Sequence, residues 1–126
     1  RVSSESLRPV VQGLRNGQAW VILADAWSAD FTHMRKHAFL GGHLSLPTGI
    51  ERLAQSTGAA LLHASTRSLA PDRLEVEVEA LPDDPKTAID TVIQHLDRDV
   101  RECPWAWWHW GLWDQMWQPA AQEGGE

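Results

Sequence analysis

The sequence holds one cysteine, Cys103, no tyrosine and only two phenylalanines among 126 residues. A single thiol excludes an internal disulfide, which fits a reducing compartment. No apolar run approaches the ~20 residues of a membrane-spanning helix, and the opening RVSSESLRPV lacks the apolar stretch of a signal peptide. Basic residues are scarce: 11 Lys plus Arg stand against 17 Asp plus Glu, a formal net charge of −6. That balance opposes binding driven by phosphate neutralisation and argues against nucleic acid as a partner. Internal repeats, low-complexity tracts and long linkers are missing too, and the length suits one domain. Tryptophan is what the sequence has in excess. Six of its eight fall between Trp105 and Trp117, within CPWAWWHWGLWDQMWQP at 103–119.

The apolar periodicity switches several times along the chain, as alternating strands and helices require. Leu7, Val10, Val11 and Leu14 share a helical stripe that Asn16-Gly17 terminates. AWVILAD, residues 19–25, is an apolar run of strand length and fits a central strand covered on both faces, as in parallel sheets. LPTGIERLAQSTGA begins with Pro47 and Thr48 as helix-start chemistry, places Ile50, Leu53 and Ala54 on one face and stops at Gly58. AALLHAS, 59–65, reads as a second short buried strand. RLEVEVEAL alternates strictly, which predicts a strand with Leu74, Val76, Val78 and Ala80 buried and Glu75, Glu77 and Glu79 on a solvated face. Ile89, Val92, Ile93, Leu96 and Val100 recur at helical spacing between Lys86 and Glu102, ahead of Pro104. The expected fold is α/β, with a mixed, mostly parallel central sheet flanked by helices and a Trp-rich C-terminal helix.

Three stretches, in order, resemble the lipid A biosynthesis (lauroyl/myristoyl) acyltransferases of the lysophospholipid acyltransferase superfamily. LRNGQAWVILAD is similar to the family's helix end, Gly turn and apolar strand closing on an Asp, here Asp25. FLGGHLSLPTGIERLAQSTGA is similar to its Phe-x-Gly block followed by Pro-Thr-Gly and a helix ending in Thr-Gly-Ala. The third pairs the strand and helix from Arg73 to Glu102 with a terminal Trp-x-Trp-x-His, which is similar to Trp105-Ala106-Trp107-Trp108-His109 here. Some departures stand out: the arginines that commonly follow the His are Trp110 and Gly111 here, and AALLHAS lacks a frequent proline.

The resemblance implies a single partial domain over 1–126, with 104–119 as its Trp-rich terminal segment. It implies the C-terminal part of an enzyme moving a fatty acyl chain from acyl-ACP or acyl-CoA to a glycolipid or lysolipid acceptor. Such an enzyme sits peripherally on the cytoplasmic face of the bacterial inner membrane. Its catalytic H-x-x-x-x-D/E pair is expected upstream of residue 1, and no cofactor is implied. The alternative is a non-catalytic membrane-binding module that keeps the scaffold.

The residues themselves offer several candidates, each with a plainer explanation. His109 and Asp114 in HWGLWD have the spacing of a carboxylate-oriented base, although composition alone yields roughly one such spacing. His33 and His37 stand at i, i+4, but the Glu of a zinc helix is absent and no metal ligand set is expected. Arg35 and Lys36 between them suit a phosphate, or simply a solvated loop. Phe39 and Gly41 in the Phe-x-Gly block, with Pro47, Thr48 and Gly49, complete the expected substrate-binding set. Gly41 and Gly42 permit close approach, and the Pro47-Thr48-Gly49 turn presents helix-start amides, unless it only caps the helix. Asp25 ends a strand where open α/β sheets place ligand groups, or caps a turn. The indoles fall on two faces, with Trp105 and Trp108 expected to pack and Trp110, Trp113 and Trp117 to meet a membrane interface.

Overall fold

A computed structural model describes residues 7–28 and 30–121, and the elements follow from local sequence chemistry. Helix α1, Arg8–Arg15, has Pro9 in its first turn, and strands β1, Met34–Phe39, and β2, Gly42–Pro47, form a hairpin. Its two central residues, Leu40 and Gly41, both have positive φ, at 47° and 78°, as a two-residue type I′ connection demands. Helix α2, Gly49–Thr57, stops at Gly58, whose φ of 70° is left-handed. Strands β3, Leu62–Ala70, and β4, Arg73–Ala80, form a second hairpin around Pro71-Asp72. Helix α3, Pro85–Glu102, starts where the Asp84 carboxylate accepts from the Thr87 N–H at 2.9 Å and the Thr87 hydroxyl at 2.7 Å. Two 3₁₀ turns, Pro104–Ala106 and Trp108–Leu112, lead to a one-turn helix α4, Trp113–Met116, and a short strand β5, Trp117–Pro119.

The strands build two antiparallel sheets, β1-β2-β5 and β3-β4. The core lies between the first sheet, α3 and the returning tryptophan segment. Phe39, Leu44 and Leu46 meet Ile89, Ile93 and Val100, with Trp107 and Met116 closing the far side. Leu40 N–H donates to the Asp97 carboxylate at 2.9 Å, tying the hairpin tip to α3. At Gly42 a side chain has no room, because a Cβ would meet the Gln118 carbonyl and the Trp117 ring where β5 pairs with β2.

The mostly parallel central sheet expected from the sequence is therefore absent among the described residues. AWVILAD is the reason: it pairs with no strand, Ala24 and Asp25 form a turn, and Val21 is 96% exposed. An apolar run signals burial only if another layer is there to cover it. MRKHAF, read as a polar loop, is instead β1, whose alternation turns His37 and Phe39 inward and Lys36 and Ala38 outward. The β3-β4 hairpin meets expectation only at Glu75 and Glu77, which are exposed. Glu79 turns towards α3, while Leu74, Val76 and Val78 stay exposed, Leu74 at 72%. The Trp-rich segment is two 3₁₀ turns, a single helical turn and a strand, not one helix; Gly111 and the run of indoles give little support to continuous α-helix. No described helix is long and apolar enough to cross a membrane.

Candidate functional site

Trp107 is the hub of the tryptophan segment and the only one of the six indoles between 105 and 117 that is buried. It reaches that position because Pro104 ends α3 and the first 3₁₀ turn folds the chain back over the core. Its ring lies 5.4 Å from Phe39, 5.0 Å from Trp110 and 6.1 Å from Trp113, with Trp110 and Trp113 edge-on. Trp113 stacks on Trp117 at 4.6 Å, and Trp117 Nε1–H donates to the Phe39 carbonyl at 2.8 Å. Trp110 Nε1–H donates to the Pro104 carbonyl. Trp107, Trp110, Trp113 and Trp117 pack chiefly against one another and the β1-β2 hairpin.

The Nε1–H of Trp107 donates to the Asp25 carboxylate at 3.0 Å, and His109 Nε2 lies 3.7 Å from the same oxygen. Asp25, Phe39 and His109 belong to three separate sequence stretches, and they converge on this one ring. Asp25 also lines an open groove of about 760 Å³, a size in the range of small-molecule sites. The walls are largely apolar: Trp20 and Leu23 on one side, Leu53 and Leu96 on the helices, Ala64 and Val78 on the second hairpin. A groove of this character favours an apolar chain, with Asp25 among its few charged lining groups and His109 behind that carboxylate.

Of the residues singled out from sequence, Asp25, Phe39 and His109 are brought together. His109 faces Asp25 at 3.7 Å, and no ion pair joins it to Asp114, which is exposed on α4. Arg35 is not an open phosphate ligand. Its Nε and Nη2 donate to Glu51 Oε1 at 3.1 and 2.7 Å, and its Nη1 donates to Asp90 Oδ1 at 2.6 Å. Burial pulls the guanidinium pKa down, but the hydrogen bonds and charges of Glu51 and Asp90 leave it above its ordinary value. His37 sits beside this pair, its Nδ1 3.2 Å from Asp90 and its Nε2 buried without a partner. Burial first, then the charge of Arg35, lower its pKa, which keeps it neutral. Lys36 is exposed on the other face of β1, and Gly41 marks the hairpin tip. Pro47 ends β2, Thr48 donates its N–H to the His33 carbonyl at 3.0 Å, and Gly49 opens α2. These last residues serve the hairpin and helix start, and none is hydrogen-bonded to Asp25.

The expected division of the indoles fails for four of the five: Trp105 and Trp108 are 81% and 88% exposed and Trp113 and Trp117 pack against the core, while Trp110 is exposed as expected. One cluster was missed from sequence altogether, the side chains of His63, Glu79 and His95. His63 and Glu79 are directly opposed across β3 and β4. The Pro71-Asp72 turn signals the hairpin but not this pairing: Ala70 opposite Arg73 would put Ala80 opposite His63, and the irregularity between Ser68 and Ala70 shifts the register by one to Glu79. Compared with known protein families, with curated proteins and with solved structures, the chain matches none.

Proposed function

We propose that the chain is the acceptor-side, membrane-facing C-terminal part of an acyltransferase that moves a fatty acyl chain from acyl-ACP, or acyl-CoA, to a lipid A precursor or related glycolipid or lysolipid. One observation carries the reading. The three stretches that resemble lipid A acyltransferases each contribute a residue to the Trp107 cluster, next to an apolar groove. The open groove takes the hydrocarbon chain along its apolar walls, while Asp25, held by Trp107, and His109 beside it meet the polar end. In the resembling enzymes a histidine oriented by an acid removes the acceptor proton before attack on the thioester. The proposal places that pair outside this sequence. Trp105 and Trp108, with Trp110 beside them, supply amphipathic indoles suited to a bilayer interface, on the cytoplasmic face of a bacterial inner membrane.

A second reading, a non-catalytic lipid-binding module, is favoured by the same carboxylate. Asp25 already accepts the Trp107 N–H, so it can serve packing alone. Both readings are tested by titrating the protein with a fluorescent long-chain fatty acid and with acyl-ACP, alongside Ala64→Phe, which fills the groove from an exposed strand position. Saturable binding lost in Ala64→Phe is the expected result. Acyl transfer by the intact protein, measured with a radiolabelled donor and a lysolipid acceptor, supports the enzyme, and binding without transfer supports the module. Absence of saturable binding by a folded protein overturns both.

A further inference from the structure

His63 on β3, Glu79 on β4 and His95 on α3 point three donor atoms at one another from three different elements. His63 Nδ1 lies 3.2 Å from Glu79 Oε1, His95 Nδ1 lies 2.8 Å from the same oxygen, and the two nitrogens are 3.4 Å apart. The register makes this possible, because opposed residues of an antiparallel pair share a face. All three side chains are half-buried, with the imidazoles more covered than the carboxylate.

We propose that these residues bind a divalent transition ion of the zinc type, as a two-histidine, one-carboxylate site. The dimensions fit. Zinc–nitrogen and zinc–oxygen bonds of about 2.0–2.2 Å separate neighbouring ligand atoms by about 3.4 Å in tetrahedral and about 3.0 Å in octahedral geometry. The three separations above span those edges. A triangle with such sides has a circumscribed radius of about 1.8 Å, so an ion about 2.1 Å from each donor rests about 1 Å out of their plane. No side chain has to change element or cross a layer to reach it.

The donor set selects the ion. Two neutral imidazoles and one carboxylate suit zinc, cobalt and nickel in preference to calcium or magnesium, which take oxygen ligands. Three protein ligands leave at least one position for water or an exogenous ligand. That position is reachable, since Glu79 and His95 also line a polar cleft with Ser65, Arg67, Glu77, Arg98 and Glu102, in which the two arginines are matched by the two further glutamates. The ion would bridge the hairpin to α3, fixing an element whose other face carries exposed Leu74, Val76 and Val78. This inference is independent of the acyl-chain reading. Without an ion, the same triad is a hydrogen-bonded bridge in which both imidazoles donate to Glu79.

The two states are separated by titrating metal-free protein with Zn2+ by calorimetry and with Co2+ by visible absorption. One equivalent should bind, with a cobalt ligand-field spectrum of low coordination number. His95→Ala and Glu79→Gln should each weaken Zn2+ by at least about tenfold. His33→Ala, at an exposed histidine outside the cluster, should not weaken it. In the parent protein, imidazole NMR should show Zn2+ perturbing two of the six histidines most strongly, a readout that needs no variant to fold. No binding, unchanged affinity in both ligand variants, or strongest perturbation of another histidine pair would overturn the site in favour of the hydrogen-bonded bridge.

Discussion

The two hairpins use similar apolar residues to opposite effect. On β1-β2, Phe39, Leu44 and Leu46 are sealed beneath α3 and the tryptophan segment, whereas on β3-β4, Leu74, Val76 and Val78 stay exposed. The difference is the presence of a second layer. The first sheet receives β5, α3 and Trp107; the second receives one helix on its Glu79 face and, among the described residues, nothing on the other. Apolar patterning records that a face is to be covered, and it does not say by what. The groove is walled by residues 18–25, β3, α2 and α3, so it lies where the covered and the open parts of the molecule meet.

The sealed side should break first. Trp107→Ala removes the hub of the aromatic cluster and strands the Asp25 carboxylate, and chemical denaturation should show a loss of about 3–5 kcal/mol. Arg35→Ala leaves Glu51 buried without its cation, with an expected cost of about 3–5 kcal/mol. Arg35→Ala/Glu51→Ala should recover part of it, since a buried charge no longer lacks a partner. Gly42→Ala forces a methyl group against β5 and should cost about 1–3 kcal/mol in the same assay.

A smaller effect comes from His37. Its native pKa lies below the ordinary histidine value of about 6.5, so the folded state binds fewer protons than the unfolded one at slightly acid pH. Its contribution is complete above about pH 6.5 and is lost as pH falls through the window between that value and the lowered native one. Urea unfolding across this range should show the parent losing stability relative to His37→Gln as the solution is acidified, while Arg35, Glu51 and Asp90 still surround the site. The smallest effect belongs to the open side. Val76→Thr should change stability by no more than about 0.5 kcal/mol; a loss of several kcal/mol would mean that this face is covered after all.

Helix α3 was legible because five apolar residues at helical spacing all sit on its core side, and α2 because Gly58 marks its end. Strand β4 was legible from its alternation, but its facing was not, because a period of two is the same whichever side meets a helix. AWVILAD misled for a related reason: a run apolar on every position names no partner strand. MRKHAF misled because its inward positions carry Arg35 and His37, whose burial depends on Glu51 and Asp90 from two other elements. The candidate site was legible as separate pieces. Asp25, Phe39 and His109 were each singled out, but the Trp107 N–H that joins Asp25 to the cluster spans 82 residues and leaves no local signature.

The most direct test of the central claim is hydrogen exchange with and without a saturating long-chain fatty acid. The account predicts added protection at the groove walls, in residues 18–25 and at 62–66 of β3, with β1 and β2 already protected and unchanged. No change along the groove, or protection spread evenly through both hairpins, would contradict it.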